Sequence, residues 1–493
     1  MRILLVYPEF PDTFWSFKHA LRFVSKRASF PPLGLLTVAA MLPKSWEKRL
    51  VDMNVTTLHD RDLAWPDYVF LSAMAVQRKS VQEVIARCQK LGVPIVAGGP
   101  LFTAEPEKYP TVDHLVLNEA EITLPPFLRD LEAGFPQRIY ASTEFADIRQ
   151  TPAPLWELLD MRHYASMSLQ YSRGCPFNCD FCNITALFGH KPRVKTAEQV
   201  IAELDGLHNR GWRGSIFFVD DNFIGNKRQL KSEIMPALLA WRAREKGITF
   251  QTEVSVNLAD DEELMSQMVA AGFDSVFVGI ETPNEESLAE CSKVQNKGRD
   301  LVECVRRMQR AGLRVEAGFI VGFDSDTPSI FQRQIDFIQR SAIVVAMVGL
   351  LQAPRGTRLY ERLRHEGRLL DDPTGDNTDS TINFIPRMNR ETLLAGYQRI
   401  VHEIYSPHTY YERVKAFLRE YKLPPARRPI GPAEIRAFLR SIYELGIKGV
   451  ERAHYWNLFF WTLFRRPRLF PLAITLSIYG FHCRRVFAKA SCS

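Results

Sequence analysis

Short apolar runs alternate with stretches of helical periodicity through most of the chain, the pattern of an α/β protein with parallel strands. Over residues 1–135, strands are expected near Ile3–Tyr7, Arg49–Asp52, Tyr68–Met74, Pro94–Gly98 and His114–Leu117. Helices are expected between them over Leu33–Met41 and Ser80–Leu91, with Leu124–Ala133 closing the unit. Together these form a Rossmann-like, doubly wound sheet of about five strands, which binds ligands at the carboxyl ends of its strands.

Residues 136–167 contain Pro136, Pro152 and Pro154 and little periodicity, and read as a linker. A second series fills residues 168–360, with strands expected near Ser168–Ser172, Ser215–Val219, Thr249–Val254, Ser275–Gly279, Val315–Val321 and Val344–Leu351. Ala197–Arg210, Glu262–Ala271 and Phe331–Arg340 read as helices between them. Such a (β/α)6 series makes a partial TIM-like barrel, open on one side to a large substrate. Residues 361–493 form a C-terminal, mostly helical region. It starts irregularly, with Asp371–Asn377 the clearest loop, and is broken at Pro424-Pro425 and near Pro429 to Pro432.

A length of 493 residues fits two or three domains, and no twenty-residue uncharged apolar run is present, so no spanning helix is expected. The first strand-like run, Arg2–Tyr7, lacks the apolar core and cleavage site of a signal peptide, so a cytoplasmic location is expected. The net charge of +7 is unevenly spread: residues 401–493 hold 16 Lys and Arg against 6 Asp and Glu. A basic tail on an otherwise acidic chain argues against nucleic acid as a partner of the whole protein.

Eight cysteines in such a chain do not read as a disulfide framework. Cys88, Cys291, Cys304, Cys483 and Cys492 are scattered and read as buried or idle thiols. Cys175, Cys179 and Cys182 stand at offsets of four and three in Ser172-Arg-Gly-Cys-Pro-Phe-Asn-Cys-Asp-Phe-Cys182. Three thiolates hold three irons of a 4Fe–4S cubane and leave the fourth open. The motif follows the first barrel strand, where active sites of this architecture lie. The competing reading is zinc, with His163 or His190 as fourth ligand, but a second cysteine pair of knuckle spacing is missing.

This motif, with Phe181 before its last cysteine, resembles that of radical S-adenosylmethionine (SAM) enzymes, and the resemblance extends over the barrel. It implies that the open iron chelates SAM and that Phe181 packs near the adenine. An external electron donor would drive cleavage of SAM to methionine and a 5′-deoxyadenosyl radical. Asp220 and Asp221 end the second strand, where the family contacts the SAM amino group, and Glu253 is placed for a ribose hydroxyl. Gly279, Glu281, Gly318 and Gly322 lie in strands resembling those that bring backbone close to the adenosyl group.

A Rossmann-like domain before such a barrel resembles the cobalamin-binding class, on Pro31–Gly34, Leu71–Gln77, Ala97–Pro100 and Val116–Glu121. Gly98 and Gly99 would let the flat corrin lie across the strand ends, with Met74 and Gln77 facing it. The Asp, His and Gly pattern of better-known cobalamin domains is missing, so no histidine is expected beneath cobalt, and His19, His59 and His114 read as ordinary residues. A decayed domain that binds nothing is the alternative.

The resemblance implies a cobalamin-dependent radical SAM methyltransferase, similar to the bacterial hopanoid methylases, acting on an unactivated carbon of a small, lipid-like substrate. A cyclase or rearrangement enzyme with both cofactors, and a non-catalytic cobalamin-binding sensor, are the alternatives. Tyr455–Phe464, Arg465–Arg468 and the apolar run Leu469–Cys483 suit peripheral membrane contact through 455–485, or equally a helical layer packed on the barrel.

Overall fold

In the computed structural model, which describes residues 1–424 and 431–490, two six-stranded parallel sheets carry the chain. The first contains β1 (Arg2–Tyr7), β2 (Glu47–Asp52), β3 (Tyr68–Ser72), β4 (Ile95–Gly98), β5 (His114–Val116) and β6 (Ile139–Tyr140), in the order β2-β1-β3-β4-β5-β6. Strand β1 is apolar on both faces because both are covered. Ile3 and Leu5 pack with helices Leu33–Met41 and Ala120–Ala133, while Leu4 and Val6 pack with helix Arg78–Leu91. Strand β6 comes from the expected linker and pairs with β5 through Leu115–Ile139 and Val116–Tyr140, so the sheet has six strands and not about five.

The second sheet begins with β7 (Ser166–Leu169), two residues before the expected strand. The chain then leaves it to form β8 (Ser172–Arg173), which pairs antiparallel with β9 (Arg193–Val194) in a small ribbon flanking the cysteines. Strands β10 (Ser215–Phe218), β11 (Thr249–Val254), β12 (Phe273–Glu281), β13 (Arg314–Val321) and β14 (Ala346–Leu350) complete the partial barrel, in the order β14-β13-β12-β11-β10-β7.

Packing does not follow the boundary at 135. Phe14, Ala20, Phe23, Ala28 and Leu36 share one core with the barrel and with the C-terminal helices. Trp15 packs edge-on against Phe277 of β12, and Phe30 lies against Phe217 of β10. From Phe470 on, the apolar run Leu469–Cys483 lies in helix Phe470–Ala490, with Ala473, Leu476 and Cys483 buried, so this part of the tail is a packed layer. Gly480 permits that packing, since a Cβ there would stand 2.3 Å from the Tyr410 ring. The break at Pro425 and Pro429, and Cys492, lie outside the described residues.

A buried ionic clasp ties the first sheet to the ribbon. Glu119, just beyond β5, accepts from Arg173 at 2.9 Å and from Arg193 at 2.8 and 2.9 Å, and is 2% exposed at its side chain. Arg173 also donates to Glu121 at 2.8 Å, and the Ala146 N–H donates to Glu119 at 2.7 Å. Burial opposes ionisation of Glu121, but the Arg173 guanidinium and Thr151 hydroxyl hold its carboxyl below the ordinary range. Removing one charge from such a group leaves its partners buried and unpaired. Glu119→Gln is therefore expected to cost about 3 kcal/mol, read as a lower denaturant midpoint by circular dichroism. Glu107→Gln, at the more exposed pair with Arg355 in the loop after β14, is expected to change stability by less than about 1 kcal/mol.

Candidate active site

The three motif cysteines occupy the loop that leaves β8, and all are half-buried free thiols. Gly174 starts the loop at a φ of +94°, where a Cβ would stand 2.9 Å from the carbonyls of Phe188 and Gly189. Asp180 N–H donates to Cys291 O at 3.0 Å and Leu359 N–H to Asp180 O at 3.0 Å, pinning the middle of the loop to the barrel. Burial pushes all three thiols up, Cys182 to about 12, and Cys179 raises Cys175 and Cys182 further. Thiolates there need compensating positive charge, which bound iron supplies. Among the described residues no three His, Cys, Asp or Glu side chains converge as a single ion requires. Of the proposed zinc ligands, His190 is exposed and His163 lies 3.5 Å from Asp160.

The expected SAM residues divide by what already holds them. Asp220 is buried and accepts from the Ser172 N–H, the Ser172 hydroxyl at 2.5 Å and the Tyr171 N–H at 3.2 Å. It clamps the turn into β8 and is not free for a SAM amino group, a correction to its expected role. Asp221 accepts from the Gly174 N–H at 3.2 Å, beside the thiol loop, and stays half-exposed. Glu253, at the end of β11, makes no hydrogen bond from its carboxyl among the described residues. Burial pushes Asp220 to about 7, Asp221 to about 6 and Glu253 to about 8, and Asp221 and Asp220 raise Glu253 further.

Glu281 and Gly279 serve an ion pair that the sequence did not reveal. At the end of β12, where the register shifts, Glu281 has a φ of +62° and accepts from Lys293 Nζ at 2.6 Å. A Cβ on Gly279 would stand 2.3 Å from Glu281 Oε1 and 2.8 Å from Lys293 Nζ, so the glycine lets the pair lie across the strand. Lys293 is held charged against its burial by Glu281 and by the thiols of Cys179 and Cys182. Beside it, Gln295 points its amide at Cys179 Sγ, 3.9 Å away. The side-chain oxygens of Gln295 and Asn296 are buried without a partner among the described residues. These oxygens and the Glu253 carboxyl are acceptors that fit the amine and hydroxyl donors of SAM.

Two further glycines have structural duties. Gly318 makes room for the Phe277 ring, 3.0 Å from where its Cβ would be. Gly322, at a φ of +107°, turns the chain after β13 and donates to Asp326 at 2.9 Å. Phe181 lies against Phe323 beside that turn, with centroids 6.2 Å apart.

On the first sheet, Gly98 and Gly99 form a cradle at the carboxyl end of β4. A Cβ on Gly98 would stand 2.6 Å from Val116 O, and one on Gly99, at a φ of +88°, 2.5 Å from Ser72 Oγ. The glycines thus let the end of β4 lie close against β5 and the end of β3, and the strand ends of such a sheet are where a ligand binds. Met74 projects from the end of β3 and is exposed. Gln77 is buried instead, donating to Pro8 O at 2.6 Å and accepting from Met74 N at 2.9 Å, so it braces the loop and does not face a corrin.

Two outcomes follow from these charges. Glu253 has a folded pKa of about 8 against an ordinary 4.5, so its contribution to stability is present below pH 4.5 and is lost as pH rises through 8. In cluster-free protein, the Tm of Glu253→Gln minus that of wild type is expected to grow between pH 5 and 8.5. Lys293→Met removes a cation beside two thiolates, and the reconstituted cluster's midpoint potential, followed by EPR, is expected to fall by on the order of tens of mV.

Residues 24–128 match the B12 binding domain, 169–338 the radical SAM superfamily and 357–492 a domain of unknown function (DUF4070). The chain is 41% identical to an uncharacterized methyltransferase of Synechocystis, over 98% of this chain and 91% of that protein. It is 34% identical to the hopanoid C-2 methylase of Rhodopseudomonas palustris, over 99% of this chain and 95% of the relative. The radical SAM methyltransferase TsrM of Kitasatospora setae, solved with cobalamin and a 4Fe–4S cluster, shares the fold with a TM-score of 0.63 over the whole of both chains, at 14% identity. The chain belongs to the cobalamin-binding radical SAM enzymes, and its cofactors are a 4Fe–4S cluster, SAM and cobalamin.

Proposed function

We propose that the protein is a C-methyltransferase acting on an unactivated carbon of a small, lipid-like substrate. The observation that carries this reading is a B12 binding domain joined to a radical SAM barrel in one chain that is similar over nearly its whole length to methyltransferases. Near full-length similarity to a hopanoid C-2 methylase supports the substrate class. Peripheral contact with a membrane would give such an enzyme access to its substrate.

When bound, the cofactors supply hydrogen abstraction from carbon and a transferable methyl group. The protein's part is placement and exclusion of water. Cys175, Cys179 and Cys182 would hold the cluster, with Lys293 offsetting their charge. Asp221, Glu253, Gln295 and Asn296 would accept from SAM, and Phe181 would contribute to its adenine site. The strand ends at Gly98, Gly99 and Met74 would contribute to the cobalamin site. The net reaction takes one substrate C–H and two SAM to the methylated product, methionine, 5′-deoxyadenosine and S-adenosylhomocysteine, with two electrons from an external donor.

The test is anaerobic reconstitution with iron, sulfide and hydroxocobalamin, followed by a hopanoid, methyl-labelled SAM and a reductant. Label is expected in the lipid, with 5′-deoxyadenosine and S-adenosylhomocysteine in equal amounts, and none in a variant with all three motif cysteines changed to alanine. Nucleoside with an altered but unlabelled product would contradict methyl transfer and favour a cyclase. Cobalamin binding without SAM cleavage would contradict an enzyme.

A further inference from the structure

The C-terminal helices carry an apolar face that no other part of the described chain covers. Helix Pro432–Ser441 runs on into a wider π-type turn, Ile442–Ile447. Along it Ile435, Leu439, Tyr443 and Ile447 recur every four residues, all exposed, and so share one side. Val450, in the turn that follows, is 90% exposed.

Helix Arg452–Arg465 folds back beside this segment. Trp456 Nε1 donates to Gly446 O at 2.9 Å, and Phe438 stacks on Phe459 with centroids 6.2 Å apart. That antiparallel register sets Leu439 level with Phe460 and Ile435 level with Leu463. Trp456, Phe460 and Phe464 form a stacked ladder at 5.7 and 6.4 Å, and Phe464 at its end is 77% exposed. Single exposed apolar residues are ordinary, but this many on two neighbouring helices mark a contact surface.

Charge decides what the surface meets. Arg436, Arg452, Arg465 and Arg468 are exposed around it and form no ion pair among the described residues. Of the acids of 431–490, Glu434 and Glu444 are half-exposed and Glu451 is buried against Arg484, so the exposed charge of the described residues here is mostly positive. A protein partner of the usual mixed charge would leave these arginines uncompensated, whereas a layer of lipid phosphates compensates them all. No helix of the described residues is long and apolar enough to cross a membrane.

We propose that this face rests on an anionic lipid bilayer. Leu439, Ile447, Val450, Phe460 and Phe464 sink to the headgroup–acyl boundary, and the arginines meet the phosphates. The contact lies on 435–468, and the buried helix that follows supports it from behind. The proposal adds a location to the reading above without depending on it, because vesicle binding requires no turnover.

The test is flotation of the full-length, cofactor-loaded protein with vesicles of phosphatidylglycerol and phosphatidylcholine, or of phosphatidylcholine alone. Wild type is expected to partition about tenfold more strongly onto the anionic vesicles. Leu439→Glu with Phe464→Glu is expected to weaken that partition about tenfold or more, with iron and cobalamin content unchanged. Arg452→Gln with Arg465→Gln and Arg468→Gln, a second variant that leaves the apolar side chains intact, is expected to weaken anionic binding and leave neutral binding alone. Absence of wild-type binding, or equal binding by the glutamate variant, would overturn the proposal. So would conversion of a dimer to a monomer by the glutamate substitutions with vesicle binding unchanged, which would make the face a subunit interface.

Discussion

The tie between this enzyme's first sheet and its cluster loop centres on one buried carboxylate. Glu119 leaves the carboxyl end of β5 and meets both arginines of the ribbon that brackets the thiol loop, with Arg173 two residues before Cys175. Each Glu119 oxygen is satisfied, Oε1 by both guanidiniums and Oε2 by Arg193 and the Ala146 N–H. A buried ionic contact contributes little net stability compared with apolar packing, but it tolerates only one geometry. Apolar contact between the two sheets would permit sliding. The clasp gives the cobalamin sheet and the cluster loop one register.

A second electrostatic theme runs through the barrel. Asp220, Asp221 and Glu253 crowd the strand ends with acid, and Lys293 is the cation set among the thiols. Asp220 is spent on backbone, so the negative character left for a ligand comes from Asp221 and Glu253. That balance suits SAM, whose sulfonium is positive and whose amine and hydroxyls donate, and it agrees with the roles proposed for these two residues. Burial that raises the carboxyls without a ligand is strain that the bound cosubstrate would relieve.

Much of this was legible in the chain. Fully buried parallel strands are continuous apolar runs, so β1, β3 and β14 stood out, and three cysteines at close spacing declared the cluster loop. What stayed hidden was long-range. Lys293 lies in an unremarkable Ser292-Lys-Val-Gln-Asn296 stretch, and only the fold brings it to Glu281 and the thiols. Gly279 and Gly318 read as close approaches to a ligand, yet the atoms they admit belong to Glu281, Lys293 and Phe277. Met74 and Gln77 looked equivalent beside β3, but one projects and the other turns inward to the backbone of Pro8. The run Leu469–Cys483 could not be told from an interfacial helix by periodicity, because buried and lipid-facing helices share composition. Its neighbours at 435–464, more mixed in sequence, carry the exposed apolar face.

The central claim is that the ionic clasp holds the two cofactor sites in one fixed arrangement. Pulsed dipolar EPR between cob(II)alamin and the reduced cluster, in frozen reconstituted protein, tests it most directly. The account predicts one narrow distance distribution, unchanged when S-adenosylhomocysteine, which the reduced cluster does not cleave, is added and broadened in Glu119→Gln. A broad distribution in wild type, or one that moves with that ligand, would contradict it.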